Sequence, residues 1–185
     1  MADAALTIAS REVQPVISQT FQEPCWYAAY TSANHEKRIA EQLLRSSIEH
    51  FLPLYQSVRR WKDRRVQLRL PLFPGYLFVR VALRDRLLVL RVPGVAKLVG
   101  FNGMPSPLPQ EEIDALRASL ASGVRAEPHP YLKVGRRVSV KAGPLAGLEG
   151  ILVKKKNRAR FVVSVELIQR SMAVEIDEAD LEAFR

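Results

Sequence analysis

The sequence predicts an α+β fold: an antiparallel sheet with packed helices, followed by a small all-β unit, barrel or sandwich. Three observations carry this prediction. Up to about residue 122 the apolar pattern switches between strand and helix periods in the order β-α-β-β-α-β-α, with hairpin-like links. The stretch "ASGVRAEPHPYLKVG" then changes character, with small residues and two prolines around His129. Beyond it, short strands follow one another with glycine-rich turns between them.

Taken in order, "CWYAAYT" is the entry strand, with Trp26, Tyr27 and Tyr30 as aromatic strand formers. Asn34 offers a helix cap, and Ile39, Ala40, Leu43, Leu44 and Ile48 recur at helical spacing. Val66, Leu68 and Leu70 alternate with Arg65, Gln67 and Arg69, which predicts a half-buried strand with a basic outer face. Ahead of it, Arg59, Arg60, Lys62, Arg64 and Arg65 read as an exposed basic loop around Trp61. "GYLFVRVA" is nearly continuous in apolar residues, as expected in the middle of a covered sheet. "RDRLLVLRV" is a short helix stopped by Pro93-Gly94, and "VAKLVGF" a strand closed by Asn102-Gly103. Pro109 suits a first helical position, Ile113, Leu116 and Leu120 mark one face, and Gly123 ends the helix.

In the second unit Val138 and Val140 alternate with Arg137, Ser139 and Lys141. Gly143-Pro144 suits a tight turn, while Gly147 and Gly150 allow a strand to bend or another backbone to approach closely. The expected organisation is a disordered tail over 1–23, a first domain over 24–122, a linker over 123–133 and a second domain over 134–185.

The chain has 185 residues and a formal net charge of +9. That excess of Lys and Arg suggests a polyanionic neighbour, most often nucleic acid; the bland alternative is a soluble basic surface. The single cysteine, Cys25, excludes a disulfide within the chain and a Cys-rich zinc site. The first twenty residues do not read as a signal peptide, and no apolar run is long enough to span a bilayer, so a cytoplasmic monomer away from membranes is expected. His35, His50 and His129 are scattered, and no zinc helix, nucleophile elbow or phosphate loop is present. Cys25 beside Trp26 reads as a small buried residue. No enzyme, cofactor or metal is expected.

The turn in "PLFPGYLFV" is unusual because Phe73 and Tyr76 flank Pro74-Gly75, where polar residues are usual. "VGRRVSVKAGPLAGLEGILV" resembles a KOW motif through Gly135, Val138, Val140, Gly143, Pro144, Leu145, Gly147 and Gly150. With "WYAAYT", "PLFPGYLFV" and "VPGVAKLVGF" preceding it in order, the chain from about 25 to 184 resembles the NusG family of transcription elongation factors. Within that family it looks closer to the specialised UpxY- and RfaH-like paralogues. The resemblance implies a NusG N-terminal-like domain and an SH3-like β-barrel KOW domain, and a factor that suppresses pausing or termination on selected operons.

It further implies that Trp26, Tyr27, Phe73, Pro74 and Tyr76 line a cavity for the clamp helices of the largest subunit of RNA polymerase. Arg59, Arg60, Trp61, Arg64 and Arg65 would lie near upstream DNA or the non-template strand. Leu167, Ile168 and Arg170 match a loop that recruits a small-subunit ribosomal protein or Rho, with Gln169 where glycine is usual. The competing reading is a ribosome- or RNA-binding KOW protein. Because Phe161, Val162, Val163, Val165, Val174 and Ile176 favour strands, the second domain is expected to be a stable barrel that leaves the cavity open.

Overall fold

The computed structural model describes residues 21–61, 64–123, 126–130, 135–143, 145–155, 158–177 and 180–183. Residues 1–20 of the expected tail, and Pro144 of the KOW motif, lie outside them.

The first unit is built on a four-stranded sheet. Strand β1 (Cys25–Thr31) lies between β5 (Tyr76–Val81) and β6 (Val95–Leu98), and β2 (Glu49–Phe51) pairs the far side of β5; all three pairings are antiparallel. Helix α1 (Glu36–Arg45) follows β1, and α2 (Arg86–Leu90) follows β5 through a 3-10 turn at Leu83–Asp85. Strand alternation gives the sheet two apolar faces. On one, Tyr27, Ala29, Leu77 and Val79 pack with Ile39 and Leu43 of α1 and Val89 of α2. On the other, Trp26, Ala28 and Phe78 meet Ile113 and Leu116 of helix α3 (Gln110–Ala121). The start of α1 departs from the sequence reading: His35 takes the cap position, and Asn34 sits in the left-handed region at φ +63°.

Residues read as a basic loop belong instead to a two-stranded ribbon, β3 (Leu54–Trp61) and β4 (Arg64–Pro71). Lys62 and its neighbour at 63 lie outside the described residues. The base of the ribbon packs Tyr55 against the core, while Arg64 and Arg65 at its far end are exposed, so arginines are tolerated there and hide the strand pattern.

A short hairpin, β7 (Gly100–Phe101) and β8 (Met104–Pro105), follows β6. The second unit is a six-stranded antiparallel sheet with its first strand at one edge and its last at the other. Its strands are β9 (Ala126–Pro130), β10 (Arg136–Val140), β11 (Glu149–Lys155), β12 (Arg158–Val165), β13 (Arg170–Ile176) and β14 (Leu181–Ala183). Strand β9 corrects the linker reading of 123–133. Its backbone pairs β13 from Ala126↔Val174 to Pro130↔Arg170. It lies at the sheet edge, the one place where prolines such as Pro128 and Pro130 fit a ladder. The KOW turn folds back on β10, with Gly147 N–H donating to the Val140 carbonyl at 2.8 Å.

The expectation of an open cavity is also overturned. Leu72, Phe73, Ile113 and Leu116 share one buried cluster with Val138, Phe161, Val163, Ile168 and Met172 of the second unit, and α3 lies against β12. The physical reason is area: left bare, that face would hold a broad apolar patch in water, at about 25 cal/mol per Å².

Gly150 shows why the motif needs glycine. A Cβ there would stand 2.6 Å from the Val162 carbonyl oxygen and 2.6 Å from the Phe161 ring. Gly150→Ala is therefore expected to lower stability by about 1–3 kcal/mol, the usual cost of overpacking, read from urea denaturation of the whole chain.

Candidate partner-docking site

The turn from Phe73 to Tyr76 closes by a Tyr76 N–H to Phe73 carbonyl bond of 3.0 Å, and Thr31 N–H donates to the Gly75 carbonyl at 2.9 Å. Gly75 has φ +82°, a conformation that side chains resist. Phe73 points inward, only 1% exposed, with its ring edge-on to Phe78 at 6.1 Å between centroids. Pro74 is exposed and Tyr76 half-buried.

Trp26 lies on the same sheet face, 2% exposed. Its indole N–H donates to Gln110 Oε1 at 2.9 Å, and the Arg117 guanidinium sits 4.7 Å from its ring centre and 5.3 Å from that of Phe51. Tyr27 is not with them. One residue along the strand, it points to the opposite face and is fully buried in the cluster with Ile39 and Leu43. In its place the structure adds Tyr30, 42% exposed, which pairs in register with Tyr76 and packs against it with the rings tilted by 52° and 5.3 Å between centroids. Counting by twos from Trp26 reaches Tyr30, so strand alternation was a signal that could have found it.

In the ribbon, the register opposes Arg60 to Arg65 and Trp61 to Arg64. The five positions therefore divide between two faces: 59, 61 and 64 on one, 60 and 65 on the other. Arg64 and Arg65 are exposed; for Arg59, Arg60 and Trp61 only the backbone is described.

In the second unit Ile168 is buried in the shared cluster, Leu167 is half-buried and Arg170 is exposed at the start of β13. Gln169 adopts φ +52° and ψ +48°, the left-handed conformation that explains why glycine suits the position. Its side-chain amide donates to the Glu166 carbonyl at 2.8 Å, a local bond that offsets the strain. Gly143 and Gly147 also have positive φ, at +83° and +87°.

Among the described residues two ionisable groups are perturbed. Burial pushes the Cys25 thiol up, aided by Glu23 and opposed by Arg80, so little thiolate forms at neutral pH. On α3, burial raises the Glu112 carboxyl, with Glu166 of the second unit and Glu111 adding to the rise. One Glu112 oxygen, Oε2, is buried with no hydrogen-bond partner. Among the described residues no group of three or more His, Cys, Asp or Glu is placed to hold a metal, and no helix is long and apolar enough to cross a membrane.

The family model for "Transcription termination factor nusG" matches residues 24–117, about half of the chain, spanning the sheet, the ribbon, the turn and most of α3. The chain belongs to the NusG family. It is similar to the NusG transcription termination/antitermination protein of Deinococcus radiodurans, at 30% identity over 82% of this chain and 95% of that one. The corresponding Escherichia coli K12 protein is 27% identical over 85% of this chain and 94% of its own length. A solved structure of Thermotoga maritima NusG, described as showing domain interaction, shares the fold with a TM-score of 0.55 at 19% identity, covering 88% of this chain and 98% of that one. NusG homologues are transcription factors rather than enzymes, and this chain is a NusG-like termination/antitermination factor at that level.

The Glu112 shift has a sign. A carboxyl with a raised folded pKa keeps its proton longer than the unfolded chain does, so stability falls as pH rises from the ordinary carboxylate range through the raised value. Glu112→Gln is therefore expected to raise the melting temperature at pH 7, with the gain fading below about pH 4. Calorimetry of both proteins across pH checks it.

Proposed function

We propose that this chain is an elongation and antitermination factor that binds RNA polymerase across its cleft. The clamp helices of the largest subunit would seat on the Phe73–Tyr76 turn, and pausing or termination would be suppressed on selected operons, as in the specialised UpxY- and RfaH-like branch. The observation that carries this reading is the apolar edge made by exposed Pro74 and Tyr30 and half-buried Tyr76, continuous with the buried Trp26, Leu72 and Phe73. Aromatic anchors beside a desolvated pocket supply most of the energy of a protein interface. An RNA-binding KOW protein has no use for such an edge.

Because the second unit shares that cluster, a coiled-coil tip reaches Trp26 and Phe73 only by displacing it. Polymerase then exchanges one apolar neighbour for another, and affinity reflects the fraction of chains that are open. Released in this way, Leu167, Ile168 and Arg170 become available to a small-subunit ribosomal protein or Rho. The far end of the ribbon, which carries these arginines and Trp61, would approach upstream or non-template DNA, with charge for the phosphates and a ring for stacking.

The test is retention of RNA polymerase on the immobilised chain, followed by single-round transcription through a terminator. Tyr76→Ala is expected to weaken binding by about 2 kcal/mol, roughly thirtyfold, with an unchanged circular dichroism spectrum. Phe73→Ala weakens binding as well, but as a core residue it also lowers the melting point. Wild-type affinity in Tyr76→Ala removes the docking role. Replacing Arg59, Arg60, Arg64 and Arg65 by Ala should reduce read-through while sparing polymerase retention, and should flatten the dependence of activity on salt. Crosslinks from position 61 that never reach DNA in an elongation complex would contradict the ribbon's role.

A further inference from the structure

The docking turn is held by a residue that lies nowhere near it in sequence. The Gly75 N–H is buried and needs an acceptor, since leaving it unpaired away from water is costly. That acceptor is Oε1 of Glu36 at 2.7 Å, from a position 39 residues earlier. The Glu36 side chain is itself sequestered, at 3% exposed, in the first turn of α1. A hydrogen bond to an acidic side chain in a water-poor site is among the stronger kinds. Helix α1 cannot drift, because Ile39 and Leu43 are fully buried against the face of the sheet opposite Trp26.

The connection therefore passes round the ends of the two central strands, β1 and β5. One side of the sheet anchors α1, α1 presents Glu36, and Glu36 holds the amide at the apex of a turn whose aromatic neighbours serve the other side. Two backbone bonds, Thr31 to Gly75 and Tyr76 to Phe73, complete the restraint. A Cβ on Gly75 would already touch the Tyr30 ring at 3.5 Å, so the turn lies close over the residue against which Tyr76 packs.

We propose that Glu36 is the positioning residue of the docking turn. It holds the Gly75 amide and so sets Pro74 and Tyr76 against Tyr30 before any partner arrives. What the turn binds rests on the polymerase reading above; the hold on Gly75 does not. A turn fixed in advance spares a partner the cost of ordering it, so loss of the hold appears as lost affinity in a chain that still folds.

The experiment compares wild type, Glu36→Gln, Glu36→Ala and Tyr76→Ala in the full-length, isotope-labelled chain, by amide hydrogen exchange and by polymerase affinity. Gln keeps the shape and an acceptor oxygen, whereas Ala keeps neither. The Gly75 amide is expected to stay protected in Glu36→Gln with an upfield proton shift, and to exchange at least about tenfold faster in Glu36→Ala while Ile39, Leu43 and Val79 keep their protection. Polymerase affinity should remain within about threefold of wild type for Gln and fall about tenfold or more for Ala, at a temperature where both are folded.

An unchanged Gly75 amide in Glu36→Ala overturns the proposal. So does faster exchange spread evenly over α1 and β5, which is general destabilisation. So, too, does wild-type affinity in Glu36→Ala when Tyr76→Ala has lost binding. Where Glu36→Ala and Tyr76→Ala both bind normally but Gly75 alone loosens, the hold stands and the docking reading is what fails.

Discussion

Strand β1 is the constraint from which the rest follows. It is hydrogen-bonded on both edges and apolar on both faces, so each of its side chains is committed to one of two cores. Tyr27 and Ala29 belong to α1 and α2, while Trp26 and Ala28 belong to α3 and the second unit. A slip of one residue would send the indole into the space of a tyrosine on the wrong side, and both cores would fail together. Tyr30, where the covering on one face thins out, is the place at which the same alternation delivers an aromatic ring to water.

That constraint also marks what the amino-acid pattern discloses. Strand β5 is legible because "YLFV" is apolar without a break, and α1 because Ile39 and Leu43 fall one turn apart. The assignment of Tyr27 beside Trp26 is not legible, since a strand buried on both faces has no polar residue to tell one side from the other. The ribbon is legible in part: Val66, Leu68 and Leu70 alternate with Arg65, Gln67 and Arg69 along β4, whereas the basic run from Arg59 to Arg65 shows no such alternation and hides the strands at the far end. Glu36 reads as an ordinary acid at a helix start, favoured there by the helix dipole. Only the tertiary fold shows that it reaches the turn at Gly75. The shared core is likewise absent from local pattern, because Phe161 and Val163 look the same whether they serve their own sheet or close over α3.

Sharing a core between a site and the unit that covers it places opposing demands on the same atoms. On the docking proposal, the apolar face must be covered in the free chain yet remain exchangeable for a partner. Arg117 bears on both demands. Its guanidinium lies over Trp26 and Phe51 while reaching toward Glu49 and Asp114, so the indole keeps a fixed orientation that does not depend on the cover. Glu112 works the other way: burial at the same junction disfavours its ionised carboxyl, and Glu166 across the junction adds to that.

The prolines of β9 bear on what happens between molecules. An edge strand offers its unpaired amides to any other strand that comes alongside, and open sheets grow into aggregates by that route. At Pro128 and Pro130 there is no amide proton to offer, so an approaching strand finds alternate rungs missing where the second unit ends its sheet. A second unit parted from α3, as the docking proposal requires, would still present a border on which a foreign β-strand gains little purchase.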